Sequence, residues 1–123
     1  MQKDYSQVNI AIIIVNAKRS SEFNRQYRNQ SNATNVISLE YSQSREVFKF
    51  LYGELILCDE VIVDEAINQN KSIMAHYAHM VIHGVLHLQG LDHQNDIEAI
   101  KMENLEVNIL NGLGFANPYI GEL

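Results

Sequence analysis

Three of the four histidines in the segment AHMVIHGVLHLQGLDH, residues 78–93, lie at a spacing that can bind one metal ion. His83 and His87 are four residues apart, so on a helix they share a face, about 6 Å apart along the axis. On a continuing helix, His93 would be rotated roughly 240° from His87, so the chain must turn back for it to join them. Gly90 lies where this turn is possible, because glycine adopts the left-handed conformation that ends helices. The pattern predicts a metal site with His83, His87 and His93 as ligands and zinc as the expected ion.

Three protein ligands leave one coordination position of the metal open for water, which is typical of a catalytic site. Zinc on neutral imidazoles keeps its charge and lowers the pKa of a bound water to about 7. Two further histidines precede the ligands. His79 is predicted to pack behind them or to support them, and His76 is predicted to face solvent.

The residue after the first predicted ligand distinguishes zinc peptidases of the HExxH type from other zinc enzymes. Zinc peptidases of the HExxH type have a glutamate there, which acts as the general base. This chain has Gly84. The glutamate-dependent peptidase mechanism is therefore disfavoured, and Gly84 indicates either access of a bulky substrate to the metal or close packing of the helix.

Composition indicates one soluble globular domain, residues 1–123, with 46% hydrophobic and 20% charged residues. The single cysteine, Cys58, cannot form an internal disulfide, which suits a reducing cytosol, and it is expected to be a small buried residue rather than a ligand. No secretory signal or membrane-spanning pattern is found, so a cytoplasmic location is expected. The net charge of −6 is unevenly distributed, since residues 1–50 carry seven basic and four acidic side chains. Because RNA binding needs only a local positive surface, the total charge does not exclude it.

Hydrophobic periodicity predicts a mixed α and β pattern. Strands are predicted at 8–15, 35–41 and 54–58, and the first is expected to be buried on both faces because it is almost entirely apolar. Helices are predicted at 18–29, 64–70, 73–88 and 97–113, with Ser72 and Asp96 capping the last two. The segment 43–51 fits neither pattern clearly. The predicted apolar face of the last helix consists of Ile100, Leu105, Ile109 and Leu113.

The histidine segment also resembles a known signature. HGVLHLQGLDH is similar to the HGxLHLxGxDH motif of the YbeY family of bacterial metal-dependent endoribonucleases. The resemblance extends along most of the chain. The other matching segments are FNRQYR (23–28), ATNVIS (33–38), GELILC (53–58), KMENLE (101–106) and LGFANPY (113–119). Leu39 and Glu40 depart from the pattern, because the family usually has Phe-Pro there.

This resemblance implies a zincin-like α+β fold with a small mixed sheet packed by helices and a three-histidine metal site. It implies a single-strand-specific endoribonuclease that matures ribosomal RNA, especially the small-subunit 3′ end, and contributes to ribosome quality control. RNA and the ribosome or its proteins are the implied partners. Arg28 and His83 match functionally important residues of the family, and an arginine fork binds phosphate without losing its charge.

Other residues are weaker candidates for the same site. Asp92 could orient an imidazole, act as a base or simply form the turn, and Asn35 and Ser38 match a family segment near the cleft. The basic side chains of the first helix, Lys18, Arg25 and Arg28, are expected to border the cleft.

Two alternatives to the nuclease stay open at this stage. The protein could be a ribosome-associated RNA-binding factor in which the metal is mainly structural, and the sequence does not separate this role from catalysis. A divergent zinc metallohydrolase acting on amides is the third possibility, and the missing glutamate counts against it.

Overall fold

The fold is α+β, as predicted, with three strands and four helices in the part of the chain that the structure describes. The structure is a computed structural model, and it describes residues 5–41, 50–92 and 94–119. In chain order the elements are β1 (Gln7–Val15), α1 (Ala17–Arg28), β2 (Val36–Glu40), β3 (Phe50–Cys58), α2 (Asp59–Asn68), α3 (Ile73–Leu88) and α4 (Asp96–Gly112).

The sheet is mixed, with strand order β1-β3-β2. β1 runs parallel to β3, and Ile12 lies opposite Leu55. β2 runs antiparallel to β3, and Val36 lies opposite Leu57. The central strand supplies more of the buried core than any other element, and its Leu51, Leu55 and Leu57 are fully or almost fully buried. The histidine helix α3 packs on this sheet, because Met80 and Leu88 belong to the same buried cluster.

The prediction that β1 is buried on both faces is wrong. Val8, Ile12 and Ile14 are 46%, 53% and 60% exposed. β1 is an edge strand of this sheet, and the helices lie mainly against β2 and β3. An apolar sequence therefore predicted the strand correctly, but its burial depended on which strands the helices cover.

The helix boundaries follow from local capping. The Ser72 hydroxyl accepts a hydrogen bond from the Ala75 amide at 3.0 Å, so Ser72 caps α3 as predicted. α4 is capped by Asn95, whose side chain accepts from the Glu98 amide at 2.9 Å, rather than by Asp96. Asp96 is instead in the first turn, where its negative charge interacts favourably with the helix dipole. α2 begins at Asp59, directly after β3 and earlier than predicted.

α4 buries a different face from the predicted one. Of the four predicted residues, Ile100 and Leu113 are 60% and 63% exposed, whereas Leu105 and Ile109 are half-buried. The buried residues are instead Met102, Glu106 and Leu110, which recur every four residues. Hydrophobicity alone chose the wrong face because the true stripe contains a carboxylate.

Of the unclear segment 43–51, residues 43–49 lie outside the described residues, and Phe50 and Leu51 belong to β3. No helix in the described ranges is both long enough and apolar enough to cross a membrane.

Candidate metal centre and its cleft

Two of the three predicted ligands lie side by side on α3. The Nε2 atoms of His83 and His87 are 3.0 Å apart. Two nitrogens that bind the same tetrahedral zinc ion at 2.0–2.1 Å are about 3.4 Å apart. The pair therefore fits a shared metal ion after a shift of a few tenths of an ångström.

The turn after α3 is built as the sequence predicted. Gly90 has a φ of 93°, in the left-handed region that glycine adopts without a Cβ penalty. Its amide donates to the His87 carbonyl at 2.9 Å, and the Leu91 amide donates to the Leu86 carbonyl at 3.1 Å. These bonds end the helix and redirect the chain.

The third predicted ligand, His93, lies outside the described residues. Among the described residues, no three His, Cys, Asp or Glu side chains form a group that could hold a metal ion. His83 and His87 thus form two thirds of the predicted ligand set, and the role of His93 stays a prediction.

A cleft of about 630 Å³ opens beside the two histidines. This volume lies within the range of small-molecule sites, roughly 300–1,000 Å³. Its walls come from the end of α1, the loop before β2, β2 itself, α3 and the turn after α3. The lining residues are Arg28, Thr34, Asn35, Val36, Ser38, Glu40, His83, His87, Leu88 and Asp92.

Arg28 reaches this cleft because it is the last residue of α1. Asn29 follows in the left-handed conformation, with a φ of 55°, and ends the helix. The loop that follows is tied back to α1, since the Ser20 hydroxyl bonds both the amide and the carbonyl of Thr34 at 3.1 Å. Arg28 and the histidine pair therefore line one cleft, although 55 residues separate Arg28 from His83.

The expectation for Lys18 is wrong. Lys18 lies in the first turn of α1 and lines a separate pocket with Asn16 and Arg19. A 12-residue helix is about 18 Å long, so its two ends cannot border the same small cleft. Arg25 is exposed in the last turn of α1 and is not among the residues that line the cleft.

Asn35 and Ser38 lie in the cleft wall, but their side chains hold the wall together. The Asn35 amide nitrogen donates to both carboxylate oxygens of Glu65, at 3.2 and 3.3 Å. Its side-chain oxygen accepts from the Val36 amide at 2.7 Å. The Ser38 hydroxyl donates to the Gly84 carbonyl at 3.0 Å and links β2 to α3.

His76 is buried, and its predicted solvent-facing position is wrong. Only 3% of the residue is exposed, and its Nε2 lies 2.9 Å from Glu65. Glu65 thus joins His76 to the Asn35 side of the cleft. Cys58 is a fully buried free thiol, as predicted.

Gly84 provides close packing of α3 on the sheet. A Cβ atom at this position would lie 2.8 Å from Leu55 Cδ2 and 3.2 Å from both Ser38 Oγ and Val36 Cγ2. The backbone of α3 therefore lies so close to the sheet that a methyl group at position 84 would force the Leu55 side chain to shift. This decides between the two interpretations of Gly84 in favour of packing.

We expect Gly84→Ala to lower the free energy of unfolding by about 1–2 kcal/mol. Overpacking a core costs about 1–3 kcal/mol, and it exceeds the gain in helix propensity of up to about 1 kcal/mol. Urea unfolding measures the change. Gly112→Ala is the matched control, because a Cβ there meets nothing within 4 Å and stability should not fall. A Gly84→Ala protein as stable as the control would contradict close packing.

Glu106 is the residue of the site that sequence reasoning missed. It is 1% exposed and lies on α4, where its Oε2 is 2.5 Å from His83 Nδ1. Its Oε1 is 3.3 Å from His79 Nε2 and also accepts from the Tyr119 hydroxyl. His79, which was predicted to support the ligands or to pack behind them, is buried behind His83. The available signal was one acidic residue between Met102 and Leu110 at helical spacing.

The surroundings of Glu106 favour its charged form. Burial is the largest influence and raises its pKa, but hydrogen bonds from His79, His83 and Tyr119, together with the charge of His83 when that ring is protonated, outweigh it. The pKa is lowered to about 2. A carboxylate that accepts several hydrogen bonds stays ionised even when buried.

Comparison with known proteins gives a consistent result. A family model described as endoribonuclease YbeY matches residues 1–114. The endoribonuclease YbeY of Chromobacterium violaceum is 45% identical over 120 residues, which cover 97% of this chain and 71% of that protein. A Thermotoga maritima protein solved in solution has a similar fold, with a TM-score of 0.53 and 26% identity. The match covers 86% of this chain and 71% of that protein.

Proposed function

This chain belongs to the YbeY endoribonuclease family, and on that premise we propose that it is a zinc-dependent endoribonuclease specific for single-stranded RNA. The observation that carries the proposal is the shared cleft of Arg28, His83 and His87. A guanidinium beside a pair of metal-binding imidazoles suits hydrolysis of a phosphodiester, in which negative charge develops on the phosphoryl oxygens. The chain is proposed to fold as one zincin-like domain.

In this proposal His83, His87 and His93 hold the zinc ion. The bound ion supplies a water of lowered pKa and a positive charge near the phosphoryl group. Arg28 binds the phosphoryl oxygens with its planar fork and orients the phosphate across the cleft. The walls held by Asn35 and Ser38 keep Arg28 and the histidines at a fixed separation.

The proposed substrate is ribosomal RNA, and the proposed roles are maturation of the small-subunit 3′ end and ribosome quality control in the cytoplasm. The proposed substrate and roles rest on the membership of the chain in this family. The ribosome or its proteins are the proposed partners.

The packing of Gly84 supports phosphodiester over amide hydrolysis. HExxH peptidases have their general base at this position. Here position 84 faces β2 and β3, where even a methyl group would force Leu55 to shift, and it is not among the residues that line the cleft. The amide-hydrolase alternative therefore lacks its glutamate, and position 84 is turned toward the sheet.

Removal of the metal should abolish cleavage reversibly. We expect the purified chain to contain about one zinc per molecule, and a chelator to stop cleavage of a single-stranded RNA. Adding back a stoichiometric amount of zinc should restore the rate. The measurement is gel electrophoresis of labelled RNA together with elemental analysis. Full cleavage by metal-free protein would contradict the proposal.

RNA affinity should fall as salt rises. Each phosphate contact releases counterions, and the slope for a single strand is about −0.7 per contact in a plot of log affinity against log salt. With Arg28 as a contact, Arg28→Ala should reduce the slope by roughly one contact, whereas Lys18→Ala should leave it unchanged. Fluorescence anisotropy measures both. The same slope for Arg28→Ala and the wild type would show that Arg28 does not contact an RNA phosphate.

A further inference from the structure

Glu106 connects α4 and the tail after it to the predicted metal ligand His83. Its carboxylate is almost completely buried and has three side chains as partners. Oε2 meets His83 Nδ1 at 2.5 Å. Oε1 meets His79 Nε2 at 3.3 Å and the hydroxyl of Tyr119. Both carboxylate oxygens are therefore engaged.

An ionised carboxylate only accepts hydrogen bonds, so each partner must donate. In neutral imidazoles this places the hydrogen of His83 on Nδ1 and that of His79 on Nε2. The remaining lone pair of His79 is then on Nδ1, a buried atom with no hydrogen-bond partner. An unprotonated nitrogen suits this position better than an N–H group, because buried donors are almost always paired.

The position of the hydrogen on His83 also determines what its other ring nitrogen, Nε2, presents to the cleft. With its hydrogen on Nδ1, His83 presents the Nε2 lone pair toward His87 Nε2, 3.0 Å away. This is the form of imidazole that binds a metal ion through Nε2.

We propose that Glu106 is the positioning residue for His83, and that Tyr119 and His79 hold the Glu106 carboxylate in place for this task. The proposal rests on the proposed function for the metal ion itself. Glu106 fixes the tautomer and the ring plane of the ligand from behind, and it does not touch the substrate. The tail after α4 thereby contributes Tyr119 to the organisation of the site.

Glu106→Gln is the variant that tests this role, because glutamine keeps the size of the side chain. Its single oxygen is best used by the two donors that meet Oε1, His79 and Tyr119. The amide NH2 then faces His83 Nδ1, and a donor at this position requires the hydrogen of His83 to move to Nε2. The expected result is a change of tautomer in the metal-free protein.

Two measurements are expected to show the effect. Long-range 1H–15N NMR spectra of the metal-free protein should show His83 with Nδ1–H in the wild type and mainly Nε2–H in Glu106→Gln. Chelator competition should show zinc affinity weaker by about 10–100-fold, as for other supporting partners of histidine ligands. Glu98→Gln is the matched control, since Glu98 is an exposed acid on the same helix, and it should change neither measurement.

If Glu106→Gln does not fold, Tyr119→Phe serves as the second variant. It removes one donor to the carboxylate, and it should weaken zinc binding a few-fold while His83 keeps Nδ1–H. Unchanged zinc affinity and tautomer in Glu106→Gln, or unchanged zinc affinity in Tyr119→Phe if only that variant folds, would overturn the proposal. Neither measurement uses RNA. Failure of the nuclease assignment would therefore leave the role of Glu106 intact, and failure of the role of Glu106 would leave the nuclease assignment intact.

Discussion

Arg28→Ala is expected to reduce cleavage of single-stranded RNA by about 10²–10³-fold while zinc stays bound and the protein stays folded. A fixed cation at developing negative charge stabilises the transition state more than the ground state, and loss of one such group typically has this effect. Arg28 is an exposed residue at the end of α1, so its truncation leaves the core unchanged. Single-turnover rates at saturating protein measure the chemical step, with zinc content determined on the same samples.

Arg25→Ala is the control for this experiment. Arg25 is in the same last turn of α1, is also exposed, and is not among the residues that line the cleft. It removes the same charge from the same helix, so a general loss of RNA attraction would affect both variants. The proposed role requires a large loss for Arg28→Ala and a change of less than a few-fold for Arg25→Ala. Similar rates for the two variants and the wild type would leave the nuclease assignment without support from Arg28.

His83→Ala is expected to lose both the zinc ion and the activity, with cleavage lowered by about 10³-fold or more. A metal ion contributes several kcal/mol to charge stabilisation in the transition state, and each 1.36 kcal/mol corresponds to a tenfold change in rate. Removing one of three ligands also leaves the site too weak to retain zinc at ordinary concentrations. Zinc content, RNA cleavage and thermal unfolding should be measured together.

His76→Ala separates this effect from simple destabilisation. His76 is buried in the same helix, its Nε2 contacts Glu65, and its ring lies edge-on to His79 rather than to His83 or His87. Its loss should lower the unfolding temperature but leave zinc content and cleavage nearly intact below that temperature. The alternative role as an RNA-binding factor with a structural metal predicts a different pattern. In that case His83→Ala lowers mainly the unfolding temperature, and no variant affects cleavage of added RNA.

The histidine segment shows how much local sequence determines. The spacing of His83 and His87, the cap at Ser72 and the turn at Gly90 depend only on helix geometry and backbone preferences within about 20 residues. These features, and the α+β class, are confirmed in the structure. The family motifs predicted Arg28 as well, but by resemblance and not by any local rule.

Tertiary structure decided which surfaces meet. β1 reads as a fully buried strand, yet the described helices pack mainly against β2 and β3 and leave Ile12 and Ile14 exposed. His76 reads as a surface residue, yet α2 brings Glu65 against it. In each case, burial depends on a neighbour that is distant in sequence, and periodicity contains no information on that neighbour.

Glu106 shows most clearly the difference between what the sequence determines and what the tertiary structure decides. The sequence places an acid on the last helix, and hydrophobic periodicity assigns it to the solvent side. Only the packing of α4 against α3 brings His79, His83 and Tyr119 around one carboxylate, and these donors make its burial favourable. The sequence by itself determined the spacing of the predicted ligands on α3, because that spacing is a property of one helix. The tertiary structure decided what supports His83 from behind and brought Arg28 to the front of the cleft, because hydrogen bonds and packing between separate elements set both positions.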